Sequence, residues 1–96
     1  TNSRLMATVW ILPTLQVFTG GKDKVMAHGT TVRHIIDNLD QQHPGIKKVL
    51  LNEEGSRVNP GVAVVVDGET SSLGLLERVK ENSEVHFIHA ISGGSA

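Results

Sequence analysis

The sequence predicts an α+β domain in which one amphipathic helix covers one face of a mixed sheet of four to five strands. Three observations carry that expectation. Apolar residues take a clear helical spacing at Val32, Ile35, Ile36 and Leu39. Runs rich in β-branched and aromatic residues recur on both sides of that stretch, in "ATVWIL", "VAVVV" and "EVHFIH". The chain has 96 residues, enough for one hydrophobic core and too few for a second.

The elements follow in order. "ATVWIL", residues 7–12, meets Pro13 and reads as the first strand. Thr19-Gly20-Gly21 signals a turn, after which "KDKVMAH", 22–28, returns as the second strand of a hairpin. Thr31 is placed to cap the helix, its hydroxyl accepting from a free backbone N–H of the first turn. Pro44-Gly45 should end that helix, one residue lacking a donor and the next permitting a sharp turn. Ile46, Val49 and Leu50 suit a further short helical turn, and Asn52 to Gly55 is polar and turn-like. "VAVVVDGE", 62–69, is a strand closed by the tight-turn pair Asp67-Gly68. "SLGLLERV", 72–79, reads as an irregular or 3₁₀ connection, and "SEVHFIHAI", 83–91, as the last strand.

Strand alternation sorts these residues by face. Val9 and Ile11 fall with Val62, Val64, Val66, Val85 and Phe87 as the set that meets the helix. Trp10, Val65 and Ile88 fall on the other face, with Ala63 and His86 among them. One helix covers one face only. The second face is therefore open and markedly apolar, the mark of a protein partner, with a second core layer as the plainer alternative. Trp10 suits either setting.

Composition narrows the function. With 39% apolar and 20% charged residues and a net charge of −1, the chain has the makeup of a globular domain. It lacks the basic balance that nucleic acid or an anionic membrane would call for. No apolar run approaches a membrane span and no signal-peptide pattern opens the chain, so a cytoplasmic location is expected. There is no cysteine, hence no disulfide, thiolate nucleophile, thiolate metal ligand or thioester-forming side chain. Any acyl or sulfur chemistry must use the chain terminus.

The remaining features are read plainly. His28, His34, His43, His86 and His89 show no metal-ligand spacing, and His86 and His89 alternate to opposite faces, so surface or interface histidines are expected and no metal. Gly20-Gly21 is a turn, since no Lys-Ser/Thr pair opens a helix behind it. Lys47-Lys48 reads as a solvated pair near a helix end, where positive charge suits the dipole.

The last residues, "HAISGGSA", 89–96, run from an apolar strand into Gly93-Gly94 and then Ser95-Ala96. Such an end is either a frayed terminus or a side-chain-free tail able to enter a narrow channel. The β-β-α-β-β order, the Thr-capped helix, "VVVDGE", the "EVHFIHAISGG" ending and the absence of cysteine together resemble the ubiquitin-like β-grasp sulfur carriers of the ThiS/MoaD family. The resemblance runs from Met6 to Gly94. Its "ILPTL…TGGK" segment, 11–22, is most similar to the carriers that feed cysteine or homocysteine synthesis.

The resemblance implies a β-grasp domain over 6–92 and a flexible tail over 93–96; residues 1–5 read as leader or expression-derived, since "MATVWI" suits a start that feeds straight into a strand. It also implies a carrier and not an enzyme, one that binds no cofactor of its own. An E1-like adenylating enzyme would use ATP to adenylate the carboxylate of Gly94, with Gly93 and Gly94 recognised together. A sulfur donor would then convert it to a thiocarboxylate for a sulfur-accepting biosynthetic enzyme. Ser95-Ala96 depart from the pattern, which ends at Gly-Gly. They are either a cloning remnant or an extension cut after Gly94 by a zinc-dependent JAMM-type peptidase. "KENSEV", 80–85, stands where relatives often carry a Gly-Asp turn. Trp10, Val65, His86 and Ile88 are the expected interface with the activating enzyme. A protein modifier conjugated through Gly94, and a non-covalent binding module using the open sheet face, are the competing readings.

Overall fold

In the computed structural model, residues 6–90 are described. A five-stranded sheet runs in the order β2-β1-β5-β3-β4, formed by β1 (Met6–Trp10), β2 (Lys24–His28), β3 (Val62–Val66), β4 (Glu69–Thr70) and β5 (Glu84–His89). α1 (Val32–Gln42) and the shorter α2 (Ile46–Leu50) lie between β2 and β3. β1 and β5 pair in parallel at the centre, while β1–β2, β3–β4 and β3–β5 are antiparallel. The mixed sheet expected from the sequence is present, with a fifth strand of two residues at one edge.

The expected helix forms where its pattern places it. Thr31 caps α1, its Oγ1 accepting from the His34 N–H at 3.2 Å. Val32, Ile35, Ile36 and Leu39 are all buried in the core. They pack on the sheet face made by Val9, Val64, Val85 and Phe87, with Ala7, Val25 and Ala27 on the same side. Val62 and Val66 are partly buried against that core, as the alternation requires. Asp40 Oδ1 accepts from the N–H groups of Gly45 and Lys47 at 3.1 Å each, which satisfies the open start of α2. Gly45 turns the chain there with φ +101° and lies so close to Phe18 that a Cβ would approach Cε1 to 3.0 Å.

The bounds of the first hairpin are revised. β1 ends at Trp10, and β2 begins at Lys24, two residues inside the expected run. The chain between them winds into a 3₁₀ turn over Pro13–Thr19 that buries Leu15 and Thr19. Ile11 still donates to Asp23 O at 2.8 Å, so the hairpin narrows before it becomes a strand pair. Lys47 and Lys48 fall in the last turn of α2, as expected, and the partly exposed Lys47 Nζ also lies 2.7 Å from Asp37 Oδ1, joining α2 to α1.

The connections elsewhere hold β5 in place. Asp67 and Gly68 take φ values of +52° and +88°, the two left-handed positions of a tight hairpin turn between β3 and β4. Asp67 Oδ1 accepts from the Glu84 N–H and Oδ2 from the Ser83 hydroxyl, both at 2.9 Å. Ser83 Oγ in turn accepts from the Lys80 N–H at 2.9 Å. Within "KENSEV", Asn82 adopts φ +66°, a conformation that asparagine tolerates better than most residues with a side chain.

Candidate functional site

The helix-free face of the sheet is where the structure gathers the expected interface residues. Trp10 pairs with His86 across the parallel β1–β5 ladder, and His86 pairs with Val65 across β5–β3. Lys24 stands beside Trp10 on the other flank, and Thr70 beside Val65. Residues paired across strands share a face, so Lys24, Trp10, His86, Val65 and Thr70 form one row across all five strands. Ile88, paired with Ala63, lies one step further along β5 on the same face.

The row is held by ring overlap. The Trp10 and His86 rings are stacked, with centroids 5.3 Å apart and planes 1° from parallel. Lys24 Nζ sits 5.3 Å from the centre of the indole, within range of a cation–π attraction. Trp10 Nε1 and His86 Nδ1 are buried and have no hydrogen-bond partner among the described residues. Stacking and the Lys24 contact therefore orient the pair. Trp10 and His86 are half-buried, while Ile88 is 44% exposed. The sequence left Trp10 between core and open face; it lies on the open face.

Met26 widens the apolar area beyond the expected residues. It is 43% exposed and pairs with Thr8, on the same side of the sheet as Trp10. The sequence signal was there in the alternation of β2, where Val25 and Ala27 are buried and Lys24 and Met26 are exposed. Polar side chains of α1 cover the outer edge of β2: Asn38 Nδ2 donates to His28 O at 2.6 Å and Gln42 Nε2 to Met26 O at 3.4 Å.

β5 carries His86 and Ile88 and leads toward the Gly-Gly motif. Ala90, the last described residue, donates to Gly61 O at 3.0 Å. Gly93, Gly94, Ser95 and Ala96 lie outside the described residues. Among the described residues no group of three or more His, Asp or Glu side chains is arranged to hold a metal ion. No helix there is long and apolar enough to cross a membrane.

Comparison with known proteins places this geometry. The model of the ThiS family matches residues 9–94. A chain of the Amycolatopsis orientalis BexX/CysO complex is 34% identical over 92% of this chain and 99% of its own, with a TM-score of 0.82. Mycobacterium tuberculosis CysO, described as an antigen, is 27% identical over 88% of this chain and 99% of its own, with a TM-score of 0.83. The small archaeal modifier protein SAMP1 from Haloferax volcanii shares the fold at a TM-score of 0.74, with 21% identity over 93% of this chain and 99% of its own. No curated protein matches at a significant level.

Proposed function

The chain belongs to the ThiS family of ubiquitin-like β-grasp proteins, which are carriers and not enzymes, and from that membership we propose that it carries sulfur as a thiocarboxylate on Gly94. The observation that carries the reading is the family match itself, which continues through Gly93 to residue 94. The likeness to a chain of the BexX/CysO complex and to CysO supports a role in biosynthetic sulfur delivery.

The chemistry follows from the terminal carboxylate. At neutral pH an α-carboxyl group, with a pKa of about 3.3–3.7, is an anion and a poor electrophile. A partner enzyme of the E1 type supplies ATP; the carboxylate oxygen attacks its α-phosphorus and pyrophosphate leaves, giving an acyl adenylate. Sulfide from a donor then attacks the carbonyl carbon and AMP leaves, so one oxygen is replaced by sulfur. The carrier contributes no catalytic group. Its contribution is a tail without side chains, which lets backbone alone occupy a narrow channel. In this reading the row of Lys24, Trp10, His86 and Val65, together with Ile88, docks on the activating enzyme. A half-buried aromatic anchor rimmed by polar residues is the kind of surface that dominates binding energy.

Ser95-Ala96 must be removed before Gly94 can react, a task suited to a JAMM-type metallopeptidase. The test is ATP–pyrophosphate exchange by an activating enzyme of the E1 type. It should respond to the chain ending at Gly94 and not to the chain ending at Ala96. Equal exchange with both, or with neither, would overturn the reading; recovery of Gly94 in isopeptide linkage to other proteins would reassign the chain as a modifier.

A further inference from the structure

The helical layer holds a second surface feature that sulfur transfer does not use. A cleft of about 490 Å³ opens between the start of α1, the loop before β3 and the connection from β4 to β5. That volume lies within the range of roughly 300–1,000 Å³ of ligand clefts. Arg33 and Arg57 line it with the hydroxyls of Ser56 and Ser72 and with Leu73 and Leu76. Leu73 is 56% exposed and Leu76 73%. Among the described residues, the other large exposed apolar side chains are Val17, in the Pro13–Thr19 turn, and Met26 and Ile88 on the open sheet face.

The charges of this cleft are available. Neither Arg33 nor Arg57 forms an ion pair among the described residues. Arg33 Nη2 makes one long contact, to Gly55 O at 3.4 Å, leaving most of its donors free. Glu77 and Glu54 reach the wall of the cleft, accepting from the hydroxyls of Ser71 at 2.7 Å and Ser56 at 3.4 Å, and neither pairs with an arginine among the described residues. The apolar rim is fixed as well. Ser71 Oγ accepts from the N–H groups of Leu73 and Gly74 at 3.1 and 3.0 Å, and Val32 N–H donates to Glu77 O at 3.0 Å. The loop is tied to α1, so Leu73 and Leu76 are presented at little further entropic cost.

We infer that this cleft, formed by Arg33 and Arg57 beside exposed Leu73 and Leu76, docks an acidic peptide segment of a partner protein in which carboxylates neighbour leucine-like side chains. Charge complementarity selects the anion, because two unpaired guanidiniums suit carboxylates in bidentate geometry. The leucines select a peptide over a small anion, which would leave both in water. A nucleic acid would call for a longer basic stripe or aromatic stacking platforms, and the cleft has neither. Because the cleft lies in the helical layer, its occupancy leaves the Trp10–His86 face free for a different partner.

The test titrates the ¹⁵N-labelled full chain with acetyl-Asp-Leu-Glu-Leu-Asp-amide and with its neutral counterpart, acetyl-Asn-Leu-Gln-Leu-Asn-amide. The acidic peptide should shift the amides of Ser71 to Leu76, Arg33 and Arg57 saturably, with a Kd of about 1 mM or tighter. The neutral peptide should bind about tenfold more weakly, as expected for losing two exposed charge contacts. The Arg33→Gln/Arg57→Gln double variant should lose the same factor, and Leu76→Ser should weaken both peptides alike. All three sites are exposed, so unchanged spectra elsewhere will show that the variants remain folded. Equal binding of both peptides, shifts confined to the Trp10–His86 face, or no saturable shift would each overturn the proposal.

Discussion

Replacing Asp67 tests how the sheet is locked. Asp67 occupies a left-handed turn position at φ +52° and accepts from both Glu84 N–H and the Ser83 hydroxyl. Asp67→Ala removes both contacts. Losing the exposed bond to Glu84 costs about 1 kcal/mol. Ser83 is only 3% exposed, so its unpartnered hydroxyl donor costs about 1 kcal/mol more, the low end for a buried orphan. Alanine in the left-handed region adds about 1 kcal/mol. The combined loss of about 3 kcal/mol is a large part of the ~5–15 kcal/mol that holds a domain together, and should lower Tm by roughly 12–24 °C. Asp67→Asn keeps an acceptor and tolerates the turn, so its cost should be about 1 kcal/mol. Urea denaturation followed by Trp10 fluorescence measures both, on the same chain and with one probe. A loss below about 0.5 kcal/mol for Asp67→Ala, or equal losses for the two variants, would refute the account of the clamp.

Other predictions separate folding from function. Ile88→Asp, at a 44% exposed position, should change stability by no more than about 0.5 kcal/mol, yet weaken docking on the activating enzyme about tenfold or more by placing a charge in a desolvated contact; unchanged affinity would move that interface elsewhere. In the chain ending at Gly94, Gly94→Ala should fold normally and be adenylated poorly, and normal activation would argue against a narrow tail channel. Thr31→Ala removes the oxygen that accepts from His34 N–H and should cost about 1 kcal/mol in urea denaturation, with Thr31→Gly costing less; no loss in either would deny the cap its role.

Much of this fold was legible because its signals are local and periodic. Val32, Ile35, Ile36 and Leu39 declare a helix face, Thr31 its start, and Asp67-Gly68 a tight turn, without reference to the rest of the chain. Alternation also sorted Trp10, Val65, His86 and Ile88 onto one face. What it could not show is their register, since the parallel pairing of β1 with β5 joins residues from opposite ends of the sequence. The stack of Trp10 on His86 depends on that register. The Pro13–Thr19 turn escaped notice because burying only Leu15 and Thr19 leaves no period to read. The pair of Lys47 with Asp37 and the cleft between Arg33 and Arg57 arise the same way, from segments that meet only after folding. Gly94 is the opposite case: its role is argued from sequence and family likeness, and it lies outside the described residues.

The most direct test of the carrier account is the intact mass of the protein purified from its own organism during sulfur-limited growth. The account predicts a chain that has lost Ser95-Ala96 and in which one terminal oxygen is replaced by sulfur. A chain that retains both residues and all its oxygen under those conditions would contradict it.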